Sequence, residues 1–153
     1  MEKTKHTLNE LLVWMFNYIL YIEEQNLKAS GVNVSMNDVH TLERIKTTSD
    51  NSMSHIARTL MVTQGTLTTN VAKLIKKGYV IKYKDEDDKR ITRLKITEKA
   101  EPILEIHDSF HENMINKMIG QLNLEENEVL NTSLENILEY FRQEYSDKLE
   151  AKK

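Results

Sequence analysis

Two groups of side chains in this 153-residue chain have types and spacing that could do chemistry. The first is the outer face of a helix predicted to begin near Gln64, where hydroxyl and amide groups are followed by lysines. Such groups can bond base edges and neutralise phosphates, so we expect a duplex major groove as the partner. The candidate DNA contacts are Gln64, Gly65, Thr66, Thr68, Thr69, Asn70, Lys73, Lys76 and Lys77, with Lys89 and Arg90 from a charged hairpin tip.

The second group contains His107 and His111, which are four residues apart on one predicted helix. This spacing lets two imidazoles share one metal ion, and Glu24 and His40 could complete a four-ligand zinc site. The alternative is a polar network without metal, in which the same four residues couple three helices. The sequence leaves both interpretations open, and we expect no resident cofactor.

Catalytic chemistry is not predicted. The chain has five histidines and no cysteine, and no nucleophile is spaced with a base. The absence of cysteine also excludes disulfides and fits a reducing cytoplasm. The longest apolar run, Leu11 to Ile22, is too short to span a bilayer and no signal peptide is recognisable, so we expect a cytoplasmic protein with no membrane association.

The stretch from Ser52 to Thr97 must position the DNA contacts. Its apolar residues predict a short helix, a turn, a second helix and a β-hairpin, which is the order of a helix-turn-helix followed by a wing. Gly78 is predicted to end the second helix in a left-handed conformation. The apolar positions are Ile56, Ala57 and Leu60 in the first helix and Leu67, Val71, Leu74 and Ile75 in the second.

Long helices are predicted on both sides of this stretch. The first, Thr7 to Lys28, is apolar almost all round, and Ser35 with Asp38 forms a capping box that opens a scaffold helix. Thr97 is predicted to cap a helix that Pro102 bends or delays and Gly120 ends. Asn123 and Glu126 are predicted to cap the last helix. These helices carry more apolar surface than one chain can bury, which predicts a twofold homodimer.

Some of this apolar surplus is expected to line a pocket for a flexible ligand, although core packing is the alternative for most of the residues. The candidate pocket residues are Trp14, Phe16, Tyr18 and Tyr21 in the first helix and Ile103, Ile106, Phe110 and Met114 in the helix after the hairpin.

Charge is unevenly distributed along a chain whose net charge is −3. Residues 63–95 contain nine lysines or arginines and four acids, whereas residues 98–150 contain four lysines or arginines and thirteen acids. We therefore expect the basic middle of the chain to face a polyanion, with an affinity that falls steeply with salt.

A family resemblance is carried by the run MVTQGTLTTNVAKLIKKGYV, by DEDDKR and by LKIT. Together these resemble the winged helix-turn-helix of the MarR family of bacterial transcription regulators, although Ala100 occupies a place where that family usually has glycine. The resemblance implies a mainly α fold with a small β-hairpin wing. It implies a DNA-binding lobe at residues 35–97, dimerisation helices at 1–34 and 98–153, and a palindromic operator.

Within that family, the segments FNYILYIEEQNL, LMVTQGTLTT and HDSFH are most similar to the FabT-type repressors of fatty-acid biosynthesis. This likeness implies a repressor whose operator affinity rises when it binds acyl-acyl-carrier-protein. Zinc-responsive regulators of the same family place two histidines in the corresponding helix, which keeps the metal alternative open. A helical protein-interaction module without DNA binding is a further alternative.

Overall fold

The computed structural model describes residues 1–122 and 127–150, and within them it confirms the mainly α fold with a two-stranded wing. The chain forms two compact units, residues 1–111 and 112–153. The elements are α1 (Glu2–Glu10), a π-helical segment (Leu11–Met15), α2 (Phe16–Ala29), α3 (Met36–Thr47), α4 (Met53–Thr59), α5 (Gln64–Lys76), β1 (Val80–Lys84), β2 (Thr92–Ile96), a 3-10 turn (Glu98–Ala100), α6 (Glu101–Leu122) and α7 (Glu128–Glu150).

Side-chain caps fix where the helices of the predicted DNA-binding lobe begin. The predicted capping box is confirmed, because the Asp38 amide donates to Ser35 Oγ and the Ser35 amide donates to Asp38 Oδ2, both at 3.2 Å. Ser52 caps α4 by accepting a hydrogen bond from the His55 amide, and Thr63 caps α5 by accepting one from the Thr66 amide. These caps hold the two helices of the motif in a fixed register.

The end of α5 leads directly into the wing. Gly78 has a φ of +79°, which confirms the predicted left-handed position, and the Tyr79 amide donates to the Leu74 carbonyl at 2.9 Å. This 6→1 bond is typical of a Schellman motif and closes the helix. Strand β1 follows at Val80, which pairs with Ile96 in the antiparallel β2.

A single hydrophobic core supports the lobe. Leu42 of α3, Ile56 of α4, Leu74 of α5 and Leu94 of β2 are fully buried in it. The core also includes Leu27, Ile103 and Leu104, so it extends beyond residues 35–97 at both ends.

The structure corrects several predicted helix ends. The Thr97 hydroxyl does not cap a helix but donates to the Gly78 carbonyl at 2.7 Å, and a 3-10 turn comes before α6. Pro102 is therefore the second residue of a helix with a delayed start, where a missing amide costs little. Gly120 lies inside α6 instead of ending it.

The predicted cap of the last helix, Asn123 with Glu126, lies outside the described residues. Asn127 caps α7 instead, because its Oδ1 accepts a hydrogen bond from the Leu130 amide at 2.9 Å. Among the helices that the structure describes, none has the length and apolar character needed to cross a membrane.

Candidate nucleic-acid interface

The outer face of α5 is the centre of the candidate interface. Leu67, Val71 and Leu74 are buried beneath it, and the opposite side of the helix is exposed. One exposed row at i, i+4 spacing consists of Gln64, Thr68, Ala72 and Lys76. Sequence reasoning missed Ala72, although its spacing from Thr68 could have revealed it.

The threonine hydroxyls of α5 bond to their own helix. Thr68 Oγ1 donates to the Gln64 carbonyl at 2.7 Å, and Thr69 Oγ1 donates to the Gly65 carbonyl at 3.1 Å. Thr66 Oγ1 lies 2.8 Å from Thr63 Oγ1, next to the helix cap. These hydroxyls are thus oriented by the helix and keep lone pairs on an exposed face.

Two of the predicted DNA contacts are engaged elsewhere. Asn70 Nδ2 donates to Thr41 Oγ1 at 2.8 Å, which attaches α5 to α3. Lys77 Nζ donates to the Asn33 carbonyl at 3.1 Å and lies 3.4 Å from the nearly buried carboxylate of Asp38. We therefore expect Asn70 and Lys77 to position α5 rather than to contact DNA.

Lys73 and Lys76 differ from Lys77 because both are exposed and neither forms an ion pair within residues 1–122 and 127–150. They lie in the second half of α5, beyond the threonines. Ammonium groups at these positions are available to phosphates on either side of a groove that α5 enters.

The wing tip holds its arginine by a bidentate ion pair. Arg90 Nε and Nη2 donate to the two carboxylate oxygens of Asp88 at 2.9 and 2.8 Å. The Arg90 guanidinium lowers the pKa of Asp88, and Asp88 raises the pKa of Arg90, so both stay charged. This pair orients Arg90 towards a groove that it lines together with Ser54, Gln64, Thr68, Ala72 and Lys82.

Arg93 fixes the tip end of the wing strands to the lobe, a role that the sequence did not predict. Its Nη1 donates to Asp50 Oδ1 and Asn51 Oδ1, both at 3.1 Å, and its Nε donates to the Asp85 carboxylate. The backbone amide of Asp88, with Arg93, lowers the pKa of Asp85 to about 2. Asp50 and Asn51 lie just before Ser52, the N-cap of α4. This cluster therefore fixes the position of the wing relative to the helix-turn-helix.

Three histidines from α3 and α6 lie close to one carboxylate of α2, but this carboxylate belongs to Glu23 rather than to the predicted Glu24. Glu23 is 2% exposed, and its Oε1 lies 2.7 Å from His111 Nε2 and 3.6 Å from His107 Nε2. His40 Nε2 lies 3.8 Å from Glu23 Oε2. Glu24 instead forms an exposed ion pair with Lys28 at 2.8 Å.

Glu23 and not Glu24 faces the histidines because of its position in the helical repeat. Glu23 precedes the buried Leu27 by four residues and therefore shares its inward face, whereas Glu24 is turned by about 100° towards solvent. A helix that is apolar almost all round gives no signal for choosing between two adjacent acids.

The donor set of this cluster fits a zinc ion. His107 Nε2 and His111 Nε2 are 3.2 Å apart, and two nitrogen ligands of a tetrahedral zinc are separated by about 3.3 Å. Burial, and then the neighbouring His111, lowers the pKa of His107 and favours the neutral ring that metals bind. Glu23 Oε2 and His107 Nδ1 are buried without a hydrogen-bond partner among the described residues.

Within the first unit, the predicted ligand-pocket residues do not form one pocket. Trp14 and Tyr18, with Leu11, Met15, Ile19 and Ile22, line a shallow, open groove of about 630 Å³ on one face of the continuous helix that α1, the π-helical segment and α2 form. Phe16 and Tyr21 are each 64% exposed and do not line it. Ile103 is in the core and Ile106 packs against it, because the start of α6 closes the lobe.

Phe110 is the remaining predicted pocket residue of the first unit, and it does not line the groove. It contacts the His111 ring edge-on, with ring centroids 5.6 Å apart. Met114 belongs to the second unit, residues 112–153. The α1–α2 groove is thus a candidate site for an apolar ligand in the first unit.

Comparisons with known proteins agree with this geometry. The family model described as the MarR family matches residues 34–92. The structure of Streptococcus pneumoniae FabT in complex with DNA is 34% identical in sequence, with a TM-score of 0.82, over 91% of this chain and 98% of that chain. A search of curated proteins gave no match.

Two further solved structures share the fold. The transcriptional regulator BldR from Sulfolobus solfataricus is 27% identical, with a TM-score of 0.68, over 90% of this chain and 96% of that chain. The S. aureus MepR–DNA complex is 23% identical, with a TM-score of 0.65, over 83% of this chain and 96% of that chain.

Proposed function

Because the chain belongs to the MarR family of DNA-binding transcription regulators, we propose that it represses fatty-acid-biosynthesis genes as a homodimer and binds its operator more tightly with acyl-acyl-carrier-protein. The observation that carries the proposal is the α5–wing surface in a chain similar to FabT, a protein solved in complex with DNA. Membership of this family argues against a protein-interaction module that never binds DNA.

The exposed face of α5 suits a major groove, where Gln64 and the threonines meet base edges. Arg90 extends from the wing towards the adjacent minor groove or phosphates, and Lys73, Lys76 and Lys89 neutralise the backbone. The cluster around Arg93 keeps the wing and α5 in one rigid arrangement, so both contacts form together.

A dimer is supported by apolar faces that the single chain leaves open. Helices α1 and α2 expose one set of large side chains, and α7 exposes another at helical spacing. The exposed residues outside the groove include Leu12, Val13 and Phe16 on the N-terminal helices and Leu134, Leu138 and Phe141 on α7. A twofold dimer would present two winged helices to successive major grooves of a palindrome.

The α1–α2 groove supports an acyl chain as the signal. It is lined by Trp14, Tyr18 and flexible aliphatic side chains of one helix face, which suit one side of a long apolar ligand. A ligand raises DNA affinity only if it binds better to the dimer geometry that matches the operator. Acyl carrier proteins are acidic as a class, so basic residues near the groove would bind the carrier protein.

The test measures operator affinity by fluorescence anisotropy with long-chain acyl-carrier-protein and with unacylated carrier protein at equal concentration. The proposal predicts tighter binding with the acylated form alone. Equal affinities in both mixtures would contradict the lipid signal and leave DNA binding intact. Tyr18→Ser should abolish the acyl effect, whereas Tyr21→Ser, an exposed tyrosine outside the groove, should retain it.

The convergence of Glu23 with three histidines favours a second candidate, a metal-responsive regulator. Glu23, His107 and His111 would hold a zinc ion, with His40 as a fourth ligand from α3. The ion would bind helices α2, α3 and α6 to one centre and so couple the N-terminal helices to the DNA-binding lobe. Without metal, the same residues would couple these helices as a polar network.

Zinc stoichiometry distinguishes the two forms of the cluster. The metal candidate predicts one zinc per chain by mass spectrometry of metals, lost in His111→Ala but kept in Glu24→Gln, which alters the exposed neighbour. A metal-free protein whose operator binding is unaffected by a chelator would contradict it.

A further inference from the structure

The first two turns of α5 offer few hydrogen-bond donors to DNA. The hydroxyls of Thr68 and Thr69 each donate their one hydrogen to a carbonyl of the same helix, at 2.7 and 3.1 Å. Neither side chain therefore has a donor left for a base. Both are exposed, and so is Ala72 in the row of Thr68, so methyl groups are the other chemistry on this face.

This surface offers few groups that could recognise guanine. Its major-groove edge presents two acceptors, which are most often read by arginine or lysine. No arginine occurs in α5, and its first lysine is Lys73, past the threonines. Among the side chains on the first two exposed turns, the Gln64 amide is a donor that the helix does not itself use, and the Thr66 hydroxyl shares a bond of 2.8 Å with Thr63 in which either can donate.

Thymine matches the surface better because its C5-methyl group protrudes into the major groove. Threonine and alanine methyl groups are suited to this apolar contact. The lone pairs of the threonine hydroxyls can accept a hydrogen bond from either adenine or cytosine, so they do not distinguish A·T from G·C pairs. Contact with the C5-methyl group does distinguish these pairs, because thymine carries this group and cytosine does not.

We infer that Thr68, Thr69 and Ala72 read thymine methyl groups in each operator half-site, and that their specificity comes from apolar contact rather than from hydroxyl hydrogen bonds. The inference rests on the proposed function, since it requires α5 to lie in the major groove. Gln64 adds recognition of adenine, whose N6 and N7 an amide can bond together.

Replacement of thymine by deoxyuridine tests the inference, because it removes the methyl group alone. Duplexes selected from a random pool by the full chain are remade with single deoxyuridines through one half-site. Affinity should fall about fourfold at each contacted methyl, and about sixteenfold when both half-sites are changed.

Two variants of Thr68 separate its methyl group from its hydroxyl. Thr68→Val keeps a methyl group and should bind like the parent, with the deoxyuridine penalty intact. Thr68→Ser keeps the hydroxyl and should bind about fourfold more weakly per half-site, with the penalty lost at one thymine. Thr47→Ser is the matched control, since the Thr47 hydroxyl makes the same type of bond, to the Glu43 carbonyl at 2.9 Å, on α3.

The outcomes are distinguishable. A parent protein that binds duplexes but tolerates every deoxyuridine overturns the inference and leaves the proposed function standing. So does a Thr68→Val variant that loses affinity while folded, as judged by its thermal unfolding, when Thr68→Ser binds normally. A parent that binds no duplex at low salt overturns the inference and the proposed function together.

Discussion

Arg90 is the residue by which the wing is proposed to contact DNA. Its side chain is 91% exposed, yet three hydrogen bonds to Asp88 hold the guanidinium in one orientation. An arginine held in this way loses less conformational entropy on binding than a free one. The acidic tip of the wing is thus compatible with DNA contact, because Asp88 serves as a support for Arg90.

Arg90→Ala should weaken operator binding by about 1 to 3 kcal/mol, which is the range for a specific arginine contact. Arg90→Lys should recover part of the loss, since it keeps the charge but not the two-pronged geometry. Anisotropy titrations at constant salt measure both. Parental affinity in Arg90→Ala would show that the wing does not contact DNA.

Lys76 and Lys77 are neighbours with different predicted roles. Lys76→Ala should remove one phosphate contact per protomer, so the slope of log affinity against log salt becomes shallower by about 1.8 for a dimer. Lys77→Ala should keep the slope and lower the unfolding temperature, because Lys77 bonds Asp38 and Asn33. Equal slopes in the two variants would contradict the assignment.

The wing depends as an element on the cluster of Asp85, Arg93, Asp50 and Asn51. Bonds from the Asp88 amide and from Arg93 favour the ionised form of Asp85, whose pKa falls from 3.8 to about 2. A carboxylate with a lowered folded-state pKa stabilises the fold above its unfolded pKa and loses this effect as pH falls. The anchoring of the wing should therefore weaken between about pH 4 and pH 2.

Asp85→Asn should be less stable than the parent above about pH 4, and the difference should shrink as pH falls to about 2. Urea unfolding at each pH, monitored by circular dichroism, gives the two curves. Glu86→Gln, an exposed acid in the same turn, is the control. A difference that is constant across this range would show that the Asp85 carboxylate does not stabilise the fold through its charge.

Local signals made most of the lobe predictable. The capping box at Ser35, the left-handed Gly78 and the i, i+4 row of Leu67 and Val71 each depend on residues close in sequence. The Arg93 cluster was not predictable in this way, because it joins the wing to residues more than forty positions earlier. Gly120 was misjudged because a helix can continue through glycine at modest cost.

The orientation of the hydrogen-bond donors in the site could not be predicted from the sequence either. The residue types of α5 predicted a DNA-binding face, but they did not show that Thr68 and Thr69 donate their hydroxyl hydrogens to their own helix. Nor did they show that Asn70 and Lys77 are held by α3 and its preceding loop. Those distinctions change which residues we expect to read bases.

At the scale of the whole molecule, exposed apolar residues on α7 are expected to join two chains. Leu138→Glu places a charge in the row of Leu134, Leu138 and Phe141 and should produce a monomer in sedimentation velocity. Operator affinity should then fall on the order of 100-fold or more, because two linked half-site contacts become one. Glu139→Gln, on the neighbouring exposed position, should remain dimeric. A monomeric parent, or a Leu138→Glu dimer, would contradict this interface.

We expect two copies of the α5–wing surface to bind one duplex in a fixed geometry. Hydroxyl-radical footprinting of the full chain on its selected duplex measures this geometry. It should show two protected half-sites related by a dyad and centred about 10 to 10.5 base pairs apart, or a multiple of that spacing, with Arg90→Ala exposing the sugars next to each half-site. A single protected half-site, or protection without a dyad, would contradict it.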